Sequence, residues 1–401
     1  MLSVDEAVDF LLSNAVALTA TESVSTGDAV GRVLAEDVTS TVNVPPADNS
    51  AMDGYAVRCL DVEKSSRLPV SQRIPAGSVA NRLEAGTAAR IFTGAPVPDQ
   101  ADAVIMQEQC EEDGGYVSIN DLPKPRQNIR LAGEDITSGS VILEKGQRLR
   151  PQDIGLAASV GVAQLEVYKK CRVAIFSTGD ELVEPGEALP EGKIYNSNRY
   201  TMTGLLQKLG CDVIDLGRVN DTLQDTINAI TAAAECADVI MTSGGVSVGE
   251  EDYIKAALEQ LGSVSMWRVA MKPGKPVAYG NVNGTPFIGL PGNPVSVFST
   301  FCIFARGFLL KTMGVVENLL PEQIPVVADF DWSRAGPRRE FARAQVIANE
   351  KGVLRATLYP SQSSGVLTST VWASGFVVIP ENTVINAGDT VMYLPFNEVL
   401  C

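Results

Sequence analysis

The sequence predicts a multidomain protein of mixed class: a doubly wound α/β domain in the second half, a β-rich domain before it and a small β-barrel or sandwich after it. Three observations carry this. From Arg172 onward, short apolar runs ("RVAIFST", "CDVIDLG", "ADVIMTS", "KPVAYG", "TPFIGL") alternate with helical stretches, as expected for parallel strands buried on both faces. The regions on either side instead carry short β-like runs broken by Pro, Gly, Asn and Asp. Finally, 401 residues exceed what one core organises, with domains of roughly 150 residues as the prior.

The elements follow in order. Ser3 and Glu6 have capping-box spacing, and Val4, Ala7, Val8, Leu11 and Leu12 recur at helical period, so residues 3–14 read as an amphipathic helix. Residues 46–140 hold the runs "ARIFTG", "AVIMQEQ" and "GYVSIN" and form the β-rich domain. Residues 141–170 read as a turn, a short helix beginning near Pro151 and a connection, which join residues 1–45 and the first helix in one discontinuous domain. The α/β domain spans 171–318, with helices near 197–209 and 222–235. Residues 319–401 return to β signals ("IPVVADF", "REFARAQVI", "GVLRATLYP", "GFVVIP", "DTVMYLPF") and read as a small barrel or sandwich.

Composition removes whole classes of chemistry. There are no histidines, which excludes Ser-His-Asp and Cys-His nucleophiles, imidazole bases and imidazole metal ligands. Seven cysteines stand far apart with no CxxC pair, so neither a disulfide framework nor a thiolate metal site is indicated. A net charge of −16 opposes a nucleic-acid backbone as partner. The N-terminus carries acids where a secretory signal needs bases, and Arg306 interrupts the longest apolar stretch, so no membrane segment is expected and the cytoplasm is the expected location.

In an open α/β sheet, ligands sit beyond the carboxyl ends of the strands. The loops there are Thr178-Gly179-Asp180-Glu181, Asn220-Asp221, Thr242-Ser243-Gly244-Gly245-Val246-Ser247 and Leu290-Pro291-Gly292-Asn293-Pro294. Gly244 and Gly245 permit close backbone approach to a phosphate at a helix N-terminus, although a glycine pair there also serves plain steric needs. Glu250, Glu251 and Asp252 directly behind would repel a bare phosphate. They either cap the next helix or share a divalent cation with the phosphate; with Asp180, Glu181 and Asp221 also on strand ends, the pattern favours Mg²⁺. Basic residues cluster locally: Arg268, Lys272 and Lys275 in "WRVAMKPGKP", and Arg334, Arg338, Arg339 and Arg343 in "SRAGPRREFAR". No Walker motif accompanies them, since "PGKP" ends in proline.

The motifs "PPADNSAMDGYAV", "RIFTGAPVP", "NIRLAGEDI", "FSTGDELVEPG", "TSGGVSVGEEDY", "MKPGKP" and "GLPGNPVS" stand in the order and spacing of the molybdopterin molybdenumtransferases, and the resemblance covers essentially the whole chain. It implies a homodimer of four-domain subunits, with a molybdopterin-binding type of α/β domain as the third. It also implies the substrates, adenylylated molybdopterin and molybdate, with Mg²⁺ as cofactor and AMP as leaving group. Asp53, Thr93 and Asp135 of one subunit would then face Glu181, Asp221 and Asp252 of the other, with Lys272 as a further catalytic group. Asp180, Gly244, Gly245, Ser247, Asp252, Pro291, Asn293 and Pro294 would hold the pterin and adenylate. Glu181, Asp221 and Asp252 would hold the metal. Molybdate would sit on Lys275, Pro276, Ser296, Arg343 and a serine of "YPSQSSG", Ser363 or Ser364. Two departures stand out: Arg268 replaces a frequent lysine, and residues 359–365 lack the frequent histidine or basic residue.

The resemblance further implies transient contact with a molybdopterin adenylyltransferase or with apo-molybdoenzymes. Two rival readings are a scaffold of the gephyrin E-domain kind, which needs an exposed recognition groove, and an adenylyltransferase, which would lack the second- and fourth-domain motifs present here.

Overall fold

The computed structural model describes residues 1–246 and 253–400, apart from the side chains of Met266 and Trp267. The first helix runs Val4–Asn14 with Ser3 as its cap: the Ser3 hydroxyl accepts from Glu6 N–H, and the Glu6 carboxylate accepts from Ser3 N–H. Such a cap is worth about 1 kcal/mol. Its buried face, Val4, Ala7, Val8 and Leu11, lies in one cluster with Phe304, Phe308 and Leu309. The helix thus joins the α/β body, a departure from the expectation that it packs with residues 141–170. What 141–170 does pair with is the segment after that helix: Thr21–Ser25 runs antiparallel to Gln164–Tyr168, and Val38–Thr39 pairs with Val141–Leu143. The short helix is Pro151–Ser159, with proline in its first turn.

Within 46–140, six strands form one sheet in the order Ala103–Met106, Gly54–Val57, Ala88–Ile91, Arg67–Ile74, Tyr116–Ile119, Cys110–Asp113. Gly54 is required there, because a Cβ would stand 1.8 Å from the Ile105 carbonyl oxygen of the neighbouring strand.

The central sheet has the order Asp212–Val219, Arg172–Thr178, Val239–Ser243, Thr285–Leu290, Pro276–Val282, Gly262–Arg268. The first four are parallel. The run 276–282, expected among the parallel strands, is antiparallel to 285–290, and the edge strand 262–268 is in turn antiparallel to 276–282. The cause is a local signal: Asn283 and Gly284 both have positive φ (52° and 93°), the two-residue turn that joins adjacent antiparallel strands. Helix Ser197–Leu209 covers one face and Leu223–Cys236 with Tyr253–Leu261 the other.

A helical segment across 294–312, with a π-helical turn at Phe301–Ala305, fills the first face. It is long and apolar enough to cross a membrane, yet 94% of that stretch is buried inside the protein, so it serves as the core helix. Phe301 and Phe308 on it are fully buried, each contributing roughly 2–3 kcal/mol of apolar burial.

The C-terminal strands Arg339–Ala348, Leu354–Leu358, Ile324–Ala328, Thr390–Pro395 and Gly375–Ile379 close into a five-stranded barrel, since 339–348 also pairs with 375–379. A short strand of the α/β body, Met271–Lys272, continues the barrel by pairing in parallel with Arg339 and Glu340. This pairing brings the basic loop of one unit against the arginine-bearing strand of the other.

Candidate active site

Two glycine loops meet at the carboxyl end of the central sheet. Gly244 donates its N–H to the Leu290 carbonyl at 3.0 Å, and a Cβ on Gly292 would lie only 3.7 Å from Gly244 Cα. Gly244 and Gly245 have φ of 88° and 65°, and a Cβ on Gly245 would stand 2.5 Å from Ile254 Cγ1. Both glycines are therefore structurally required. Pro291 is buried beneath this loop, Asn293 is exposed at the helix start, and Pro294 opens the helix. Asn198, absent from the sequence-based site, donates Nδ2–H to the Gly292 carbonyl at 2.7 Å and fixes the second loop.

The carboxylates line the rim. The Glu181 carboxylate folds over Gly179, where a Cβ would meet it at 2.6 Å. Asp180 is exposed and its carbonyl accepts from Lys193 Nζ at 2.5 Å; Asp221 is half-buried just before the Thr222 cap of the 223–236 helix. Ser247 and Asp252, with Glu250 and Glu251, lie outside the described residues. Among the described residues no three acidic or sulfur groups converge to hold a metal ion. The donor set that remains, single carboxylates on strand ends, suits a hard cation held by one or two carboxylates with phosphate and water completing its shell.

Asp53 and Thr93 form a compact pair in the β-rich sheet. Asp53 Oδ1 accepts from Thr93 N–H at 2.7 Å and from its hydroxyl at 2.8 Å. These two bonds, the backbone one first, hold the Asp53 carboxyl below the usual carboxylate range, with Arg90 adding to the effect. Asp135 is exposed and tied through its backbone N–H to the Val44 carbonyl at 3.0 Å.

The basic residues gather on the other side of the 294–312 helix start. Gly274 (φ 111°) packs so closely that a Cβ would stand 2.4 Å from Thr300 Cγ2 and 3.6 Å from the Ser296 carbonyl oxygen, which sets Lys275 and Pro276 beside Ser296. Lys275 is exposed and Ser296 buried. The Ser364 carbonyl accepts from Val295 N–H at 3.0 Å, so the 359–365 loop lies on the same helix turn. Arg343 completes the set. It is 1% exposed, donates Nε–H to Ser369 Oγ at 3.0 Å and Nη2–H to the carbonyls of Ser363 (3.1 Å) and Ser361 (3.4 Å). Gln362 clamps the Arg343 backbone from both sides, accepting its N–H at 2.9 Å and donating to its carbonyl at 3.1 Å. Burial pushes the guanidinium down to about 10, opposed by the Glu340 carboxylate.

The other arginines of that run go elsewhere. Arg339 makes a two-pronged pair with Asp5 (2.7 and 2.9 Å) and a second with Glu381, Arg338 donates to the Met271 carbonyl, and Arg334 is exposed. Lys272 is paired with Glu340, at 3.0 and 3.2 Å to its two oxygens. A groove of about 520 Å³ lies at the opposite, amino-terminal edge of the sheet; Arg172 there pairs with Asp238 at 2.7 Å and Lys170 with Asp212 at 3.7 Å, and Lys169 also lines it.

Residues 2–161 match the MoeA N-terminal region (domain I and II), residues 174–311 a probable molybdopterin binding domain, and residues 325–396 the MoeA C-terminal region (domain IV). Over 403 aligned residues and the full length of both chains, the sequence is 42% identical to a molybdopterin molybdenumtransferase of Haemophilus influenzae. The chain belongs to the molybdopterin molybdenumtransferase family. A second relative, molybdopterin molybdenumtransferase 2 of Mycobacterium tuberculosis, is 37% identical over 90% of this chain and 91% of its own. Among solved structures, a molybdopterin biosynthesis MoeA protein of Pyrococcus horikoshii superposes with a TM-score of 0.85 at 30% identity, covering 98% of this chain and all of that one. Membership in the transferase family places the chain among enzymes of molybdenum cofactor biosynthesis.

Proposed function

We propose that the chain transfers molybdenum from molybdate to adenylylated molybdopterin and releases AMP, acting as a homodimer with Mg²⁺. The observation that carries this reading is that two segments reach the start of the same helix: Gly274, next to Lys275, packs on Thr300 and the Ser296 carbonyl, and the Ser363-Ser364 loop, which holds the buried Arg343, bonds to Val295. Cations with hydroxyl and backbone donors are what a tetrahedral dianion requires, and a planar guanidinium offers paired donors to it. The glycine loops of 244–245 and 291–292 would take the phosphate and pterin end, leaving the dithiolene directed at the anion.

Bound Mg²⁺ would neutralise charge on the phosphates, held through Glu181, Asp221 and Asp252. The chain's own residues then do the remaining work. Lys272 supplies positive charge beside the pyrophosphate, Asp53 and Thr93 of the second subunit close the cleft, and Lys275 with Arg343 presents molybdate. On this reading the four-domain division is 1–45 with 141–170, 46–140, 171–318 and 319–401, the first helix of the discontinuous domain resting on the α/β body. The test is single-turnover release of AMP from adenylylated molybdopterin with Mg²⁺, with and without molybdate. Release that ignores the oxyanion, or that survives both Asp53→Ala and Glu181→Ala in folded protein, contradicts the proposal.

A further inference from the structure

We propose that Glu340 is the positioning residue for Lys272, and that its charge also trims the site to match a dianion; this deepens the reading above and rests on Lys272 belonging to the active site. The backbone sets the two residues side by side. Met271–Lys272 and the first residues of the barrel strand run parallel with Lys272 opposite Glu340. Immediately after, Pro273 is buried and Gly274 is pressed on Thr300, so the backbone that carries Lys272 is fixed and the freedom left is that of its side chain.

Both Glu340 oxygens take up that freedom, at 3.0 and 3.2 Å from Nζ. The two partners are unequal: the carboxylate side chain is 12% exposed and the lysine 40%, so the carboxylate is the anchored member and the ammonium the presented one. Fixing an otherwise rotamer-rich lysine is the kind of preorganisation that raises a rate rather than an affinity.

The same carboxylate acts on Arg343, where its field opposes the effect of burial. Lys272, Lys275 and Arg343 alone would carry three positive charges; with Glu340 the sum is two, equal and opposite to molybdate. A carboxylate near an anion site lowers affinity for the anion, so Glu340 trades binding strength for alignment.

Two measurements on Glu340→Gln and Glu340→Asp test this, with melting temperature as the check on folding. In the first, the unliganded protein is briefly treated with an amine-acylating reagent, and modification of Lys272 is measured relative to Lys275 by peptide mass spectrometry. The ratio should rise at least about 3-fold in Glu340→Gln and return toward wild type in Glu340→Asp, which keeps the charge. In the second, AMP release is followed against molybdate concentration. Glu340→Gln should lose about 10-fold or more in kcat while KM for molybdate stays level or falls, the direction expected when a repelling charge is removed. An unchanged acylation ratio overturns the positioning role, and a rise in KM with kcat preserved overturns the charge argument. Because the acylation needs no substrate, it judges Glu340 even if wild-type protein releases no AMP, an outcome that would refute the transferase reading instead.

Discussion

Replacing Gly274 with alanine probes the packing that sets Lys275 beside Ser296. The new methyl would meet Thr300 Cγ2 at 2.4 Å, on a fully buried helix residue that cannot swing aside. Overpacking of this kind costs about 1–3 kcal/mol. The backbone φ of 111° is in the region that favours glycine, which adds about 1–3 kcal/mol. A total of about 2–6 kcal/mol corresponds to a fall of roughly 4–24 °C in the melting of a domain this size. Thr300→Ser removes only the offending methyl and keeps the hydroxyl that donates to the Ser296 carbonyl at 2.6 Å, at a cost of about 1 kcal/mol. The double variant should therefore be more stable than the sum of its parts by about 2–3 kcal/mol, because the alanine methyl occupies the space vacated. Differential scanning calorimetry on the four proteins reads the cycle. Additivity within about 0.5 kcal/mol would refute the contact as the reason for glycine at this position.

Three further outcomes are expected. If the catalytic cleft is shared between subunits, Asp53→Ala and Glu181→Ala will each be inactive alone, and a refolded equal mixture will recover about a quarter of wild-type AMP release, since half the dimers carry one intact cleft; no recovery places both residues in one subunit's site. Arg343→Met should lose molybdate binding in calorimetry, whereas Arg338→Met should not. In the wild type the Arg343 guanidinium is held down to about 10, so oxyanion binding should decline as pH rises through that value. The stability sign is opposite: between about pH 10 and the ordinary arginine range the unfolded chain holds the proton that the fold has lost, so the burial penalty, complete below that window, is relieved within it.

Local signals in the sequence translated directly. The Ser3 and Glu6 spacing is a formed capping box, and the helix expected at 197–209 is Ser197–Leu209, because cap chemistry and apolar period act within a few residues. The direction of 276–282 was missed because an apolar run looks the same in either orientation. The deciding feature was the Asn283-Gly284 turn, itself local and readable. The first helix packs on the 294–312 segment because its apolar face matches that core, a choice among distant partners that periodicity cannot make.

The candidate site divides the same way. Glycine loops and basic residues were legible as residue types at strand ends, and the family resemblance supplied their order. What lay hidden were pairings between remote segments: Glu340 on Lys272, Gln362 and Ser369 on Arg343, Asn198 on Gly292. Each joins residues whose separation is set only when the barrel closes and the helices dock. Of the four neighbouring arginines, only the folded barrel distinguishes Arg343, turned inward, from Arg339, spent on Asp5.

The most direct test of the central claim is to mix the purified protein with adenylylated molybdopterin and Mg²⁺, add molybdate or tungstate, and follow AMP in a single turnover. Release of AMP that depends on the oxyanion and yields metal-loaded cofactor is the predicted result. Tight binding of the adenylylated pterin with no AMP release, under conditions where a family member turns over, would contradict it and leave a protein that carries the pterin without transferring the metal.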